Sequence, residues 1–307
     1  MPLRSVSPES RFLQGSQRGR LPDFLVVGSM KCGTTSLHHY LSLHPEVQVA
    51  RKELNFFIGG DAYDPDALPS ANWWRGTGWY RRQFSASRKI CGDVSPACVV
   101  GPWRRPVAQR LAQLLPQARF VLLVREPLQR LQSHYLMARA NLEIPAVTFA
   151  EFVENERFHS YRSYSHYGSQ LLCLREWFPA SSVLVIETAA LDQDRERTLA
   201  RIFSFLGVDP GFRTPGFRRR LHQGGGRRVA TPAGERLLRS PLMVWAWDHL
   251  PFTVYEGLRA LLLRPLSAEL PSLVLPEPVA ARLRQEFSRE VRLVRRLSGE
   301  PLRSLGE

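Results

Sequence analysis

Read for polarity alone, the chain alternates short apolar runs with stretches in which apolar positions recur every three or four residues. The runs Phe24–Val27, Val47–Val49, Lys89–Gly92, Phe120–Val124 and Val183–Ile186 are β-branched or largely apolar and predict strands. The periodic stretches Thr34–Leu43, Val107–Leu115, Leu128–Ala140, Ser169–Phe178 and Arg195–Leu206 predict helices. The punctuation agrees: Pro127 opens one helix, Gly207 closes another, and Pro45 and Pro116 lie just past two more. Strands alternating with helices imply crossover connections, and hence an α/β fold with a mostly parallel sheet covered on both faces.

The pattern changes after about residue 210. Six arginines and five glycines between Asp209 and Arg228 read as a loop, and a basic, helical region broken by Pro251, Pro265, Pro271 and Pro276 follows. Within that region LMVWAWDHLPFTVYEGLRALLLRPL is an amphipathic element suited to packing on the core or to peripheral contact with a membrane. A last helix over 279–297 places Val279, Leu283, Phe287, Val291 and Val294 on one stripe and should dock on the main domain. The division predicted is a disordered basic tail at 1–20, an α/β core at 21–228 and a helical C-terminal extension at 229–307 packed on it.

Charge narrows the partners. A net charge of +14 and a pI near 10.4 favour an anionic ligand, without choosing among nucleotide, acidic glycan, nucleic acid and membrane surface. Cys32, Cys91, Cys98 and Cys173 form no C-x-x-C pair and have no histidine at finger spacing, so buried free thiols are expected rather than zinc or a disulfide framework. The first twenty residues hold no apolar segment of the secretory kind, and no run of eighteen apolar residues occurs. The compartment this suggests is the cytoplasm.

The candidate chemistry begins at FLVVGSMKCGTTS, residues 24–36. A glycine-bearing turn between strand and helix aims backbone N–H groups at an anion. Gly28 and Gly33 have the separation of a Walker A loop, but Thr34 stands where that motif has lysine, and Lys31 lies inside the loop instead. A second strand end, in RFVLLVREPLQRLQSHY, delivers Arg125 where a Walker-type NTPase would place a magnesium-binding aspartate. It reads as a second anion site.

Together these two segments resemble the sulfotransferases that use 3′-phosphoadenosine 5′-phosphosulfate (PAPS). PDFLVVGSMKCGTTSLHHYLSLHPEV is similar to that family's 5′-phosphosulfate loop, and RFVLLVREPLQRLQSHY to its 3′-phosphate segment, including the eight-residue step from Arg125 to Ser133. KELNFF at 52–57, GWY at 78–80, CGDVSPA at 91–97 and YGSQLLCLREWFP at 167–179 extend the likeness over about 22–207, nearest to the glycosaminoglycan-type and bacterial carbohydrate branches. The resemblance implies a P-loop-like sheet and sulfuryl transfer from PAPS to a hydroxyl acceptor, a sugar or glycoconjugate. Nucleic acid is not among the partners it implies, and no metal is required. By the same resemblance Lys31, Cys32, Gly33, Thr34, Thr35 and Ser36 would hold the 5′ side, with Lys31 also stabilising the bridging oxygen. Arg125 and Ser133 would hold the 3′-phosphate, and Glu53 would be the general base, with Asp93 shaping the site. Val94 and Asn55 stand where relatives often carry lysine and histidine. Tyr167 falls in a segment that relatives place near the nucleotide, Arg227 and Arg228 could close over PAPS, and Trp79 and Tyr80 could line an acceptor cleft. His38, His39 and His44 read as structural. Two rival readings remain at this point, a kinase with a variant P-loop and a non-catalytic polyanion-binding protein.

Overall fold

The run FLVVG becomes β1 (Phe24–Gly28), buried along its whole length. A strand apolar on both sides needs cover on both faces. Phe24 and Val26 pack into one apolar core, and Leu25 and Val27 into another. Four further strands, β2 (Val47–Val49), β3 (Ile90–Val94), β4 (Arg119–Val124) and β5 (Val183–Glu187), join β1 in the order β2-β3-β1-β4-β5. All four pairings are parallel. The computed structural model describes residues 19–60, 71–85, 87–141, 143–219, 229–238, 240–243, 261–262, 267–268 and 272–306.

Among the described residues the helices are, in chain order, α1 (Thr34–Ser42), α2 (Gly76–Arg81), α3 (Arg104–Leu114), α4 (Pro127–Ala140), α5 (Phe149–Glu154), α6 (His159–Ser163), α7 (Tyr167–Arg175), α8 (Thr188–Gln193), α9 (Arg195–Leu206), α10 (Pro232–Leu238) and α11 (Glu277–Ser298). The first core takes Leu37 and Leu41 from α1, Ile202 and Phe203 from α9, and Val291 and Val294 from α11. The second takes Phe56, Tyr80, Val107, Leu111 and Leu174. Full burial of a large apolar side chain contributes about 1.5–3 kcal/mol, so these two layers hold the sheet to its helices.

The strand order sets where a ligand can sit. From β1 the chain crosses to β2 on one side, and from β4 it crosses to β5 on the other. The loops after these adjacent strands therefore diverge and leave a crevice at their carboxyl ends.

The chain divides into two compact units, the first comprising Met1–Arg130, Arg162–His222 and Arg284–Glu307, the second Leu131–Tyr161 and Gln223–Leu283. The first holds the sheet. The second has an aromatic cluster of Tyr135, Phe149, Phe152, Phe158 and Tyr161, and a short antiparallel pair of β6 (Val229–Ala230) with β7 (Ser267–Ala268). There Thr148 and Glu151 form a reciprocal capping box on α5.

All five strands expected from the sequence are present, and the α/β class is as read. The four cysteines are buried free thiols. Four short helices, α2, α5, α6 and α8, were not expected from periodicity; none exceeds six residues, too short to show a repeat. The expected stripe on the last helix is buried at every position. The basic tail before residue 19, Arg227, Arg228 and most of the apolar stretch 242–266 lie outside the described residues. Among the described residues no helix is long and apolar enough to cross a membrane.

Candidate active site

The loop after β1 turns on two left-handed residues, Lys31 at φ 71° and Gly33 at φ 86°. Glycine adopts that conformation without steric cost, whereas lysine does so at roughly 1–2 kcal/mol, which the packed surroundings must hold in place. The loop is tied internally: Cys32 N–H donates to Ser29 O (3.1 Å), and Ser29 N–H reaches across to Leu123 O on β4 (2.8 Å). Ser29 Oγ donates to buried Gln170 Oε1 (3.0 Å), and the Gln170 amide donates in turn to Ser163 O (3.1 Å) and Tyr164 O (3.3 Å). So Gln170 on α7 fixes the loop from below.

Gly33 is the cap of α1, and no side-chain oxygen caps that helix start. The first-turn N–H groups of such a helix, over Thr34, Thr35 and Ser36, carry a partial positive charge and suit an anion. Cys32 is placed differently. Its N–H is used inside the loop, and its thiol lies buried 3.6 Å from the Tyr167 hydroxyl. Burial pushes that thiol up to about 11, against the hydrogen bond from Tyr167 and the charges of Arg130 and Arg125. It is an inert thiol, and the Ser29 bond to Leu123 O is what sets the β1 loop beside the end of β4.

Arg125 is half-buried at the end of β4, its Nη2 donating to Gln129 Oε1 (3.3 Å). Five residues on, Arg130 is fully buried. Its Nε donates to Ser165 Oγ, which donates to Pro127 O, and its guanidinium lies 5.8 Å from the Tyr164 ring centre. Burial lowers the affinity of Arg130 for its proton, while Tyr167 and Cys32 favour its charge. Ser133 stands half-buried on α4, in the second compact unit. Thr188, the first residue of α8, donates from one hydroxyl to Cys32 O (2.8 Å) and Val124 O (3.0 Å), bracing the two strand ends against each other.

The model of the sulfotransferase family matches residues 80–212. Over 206 residues the chain is 26% identical to human bifunctional heparan sulfate N-deacetylase/N-sulfotransferase 2, covering 62% of this chain and 22% of that protein. Over 203 residues it is 27% identical to human heparan sulfate glucosamine 3-O-sulfotransferase 5, covering 62% and 55%. The chain thus spans well under two thirds of the length of these relatives. A solved sulfotransferase from Alicyclobacillus acidocaldarius superposes with a TM-score of 0.56 at 24% identity, covering 77% of this chain and 99% of that one, which shows the shared fold.

Within the matched stretch, β3 carries Asp93, which is wholly buried. Tyr80 OH donates to its Oδ2 (3.0 Å) and Ser95 Oγ to its Oδ1 (2.7 Å). Burial pushes its carboxyl up to about 6, helped by the charge of Glu53 and opposed by the two hydroxyls. Ser95 Oγ also accepts from Asn55 N–H (2.9 Å), so β3 anchors the 52–57 loop. Tyr80 is fully buried and stacks on Phe56 at 4.2 Å, so it supports the site from inside and does not line a cleft; Trp79 is half-buried.

Glu53 lies on that anchored loop with its side chain 25% exposed, and Lys52 Nζ stands 3.4 Å from its Oε1. The same ammonium donates to Thr35 Oγ1 (2.6 Å) and Thr34 Oγ1 (3.3 Å). Glu53, Thr34 and Thr35 are therefore brought to one point, by a lysine the motif reading passed over. His38 and His44 serve the fold, bonding Ala50 O (2.9 Å) and Asp209 O (3.1 Å). Among the described residues no cluster of three or more His, Cys, Asp or Glu has the geometry of a metal site.

Proposed function

We propose that the chain transfers the sulfuryl group of PAPS to a hydroxyl of a carbohydrate or glycoconjugate. One observation carries this reading: the uncapped start of α1 and the guanidinium of Arg125 leave neighbouring strands, and a half-buried carboxylate, Glu53, reaches the same loop through Lys52. Two anion sites on one sheet edge, with a base beside only one of them, fit a ligand with a phosphate at one end and a reactive phosphosulfate at the other. When bound, PAPS supplies the sulfuryl group and leaves as PAP.

The roles follow from placement. The N–H groups and hydroxyls of Gly33, Thr34, Thr35 and Ser36 hold the 5′-phosphate, and Arg125 holds the 3′-phosphate with the stronger, charge-assisted bond. Glu53 takes the acceptor hydroxyl's proton as its oxygen bonds to sulfur, while the bond from sulfur to the bridging oxygen breaks. Lys31 meets the charge that gathers on that oxygen. The relatives above are named for heparan sulfate, which supports a sugar acceptor.

The test is single-turnover transfer of labelled sulfuryl from saturating PAPS to a panel of glycan acceptors. Glu53→Gln keeps the shape of the side chain and removes the proton acceptor, so transfer should fall about 10²–10⁴-fold with PAP affinity unchanged. Near-normal transfer by that variant would remove Glu53 from the mechanism, and no transfer to any acceptor by the wild type would remove the activity.

A further inference from the structure

We propose that Lys52 is a positioning residue of the donor site, which orients the Thr34 and Thr35 hydroxyls toward the 5′ group of the ligand and ties that group's occupancy to Glu53. The inference rests on the sulfotransferase reading above and deepens it. Its basis is a three-way contact: Lys52 Nζ lies 2.6 Å from Thr35 Oγ1, 3.3 Å from Thr34 Oγ1 and 3.4 Å from Glu53 Oε1.

A lysine ammonium only donates, and a threonine hydroxyl both donates and accepts. Each hydroxyl that receives an N–H from Lys52 keeps its own proton turned away from the ammonium, free to be given to an anion beside the first-turn N–H groups of α1. The two hydroxyls are thus turned into fixed donors beside an already electropositive helix end, before any anion arrives. Donors oriented in advance cost no reorganisation when charge develops, which is where such groups matter most.

The lysine is itself held. Its side chain is only 18% exposed, and burial lowers its affinity for the proton while the neighbouring Glu53 charge restores it. Its head is bonded three ways and most of its side chain is out of water, unlike a lysine that lies along a surface. The pairing also runs the other way: the ammonium keeps Glu53 beside the loop, so base and donor site are assembled by one side chain.

Binding of two probes separates this role from a general structural one. PAP has a 5′-phosphate, and adenosine 3′-monophosphate lacks it. Lys52→Met should weaken PAP about 10–100-fold by calorimetry and leave adenosine 3′-monophosphate within twofold. Lys52→Arg, which retains charge and N–H donors, should recover part of the loss. The losses from Lys52→Met and Thr35→Val should be far from additive, since each removes the same contact. Where the methionine variant does not fold, Lys52→Gln gives the same comparison. If the wild type binds PAP and the variants weaken both probes equally, or neither, Lys52 does not orient the 5′ site. If the wild type binds no PAP, the sulfotransferase reading falls, and this inference with it.

Discussion

Asp93 sits wholly inside the protein with a hydroxyl on each oxygen, and burial still raises its carboxyl from 3.8 to about 6. The folded state therefore holds the proton more tightly than the unfolded chain. Its contribution to stability is fullest below about 3.8 and is lost as pH rises through about 6. Asp93→Asn cannot titrate, and both neighbouring hydroxyls can rotate to suit an amide. The unfolding free energy of the variant relative to wild type should then improve between pH 4 and pH 7.5, by on the order of 2–3 kcal/mol. Urea unfolding at the two pH values measures this, and a pH-independent difference would mean Asp93 is not strained by burial. At this scale the sequence was partly readable. The loop residues Lys31 to Ser36 are contiguous, so their motif could be read directly along the chain. Lys52 was hidden because its partner Thr35 is 17 positions away, and only the fold of the 52–57 loop brings them together.

The last helix, α11, shows how much an element's own pattern can tell. Its apolar stripe over 22 residues predicts both helix and buried face. What the stripe does not tell is how closely α11 meets α7. A Cβ on Gly168 would lie 2.6 Å from Leu293 Cβ and 2.8 Å from Glu290 O, so only glycine fits. Beside it, Ser169 N–H and Oγ bond the Glu290 carboxylate (2.8 and 2.7 Å), and His166 bonds Glu286 (2.7 Å). Gly168→Ala should gain about 1 kcal/mol of helix propensity and lose about 1–3 kcal/mol to overpacking against a backbone oxygen that cannot yield. Net destabilisation should appear as a lower urea midpoint, whereas Gly60→Ala, where a Cβ meets nothing within 4 Å, should leave it nearly unchanged. Equal midpoints for both would show that α11 shifts freely. Short elements were illegible for the complementary reason. Gly-Thr-Gly opens α2, and poor helix formers become helical there because Tyr80 is buried against Phe56 and bonded to Asp93.

For the whole molecule, the formal charge of +14 pointed to an anionic partner without saying where it would bind. On the reading proposed above, that partner would meet Arg125 just after β4, beside the strand whose loop leads into α1. A ligand that engages both strand ends should stabilise far more than one that engages a single end. PAP at about 100 times its dissociation constant should add roughly 2.7 kcal/mol, read as a rise in melting temperature, with ATP and magnesium giving much less at equal concentration. Equal rises would count against two anion sites. The parallel sheet was legible, because strands alternating with helices imply crossover connections, but its strand order was not. The brace across the crevice was not: Thr188 lies 156 positions from Cys32, in a helix too short to announce itself. Yet that one hydroxyl, shared between Cys32 O and Val124 O, makes the two jaws of the crevice a caliper with its screw tightened. A caliper selects by span. Two phosphates the wrong distance apart would find one jaw at a time, however strongly each is charged, and recognition would then be a measurement of length, set by the β1–β4 ladder and the Ser29 bond to Leu123 O with Thr188 as the last turn of the screw.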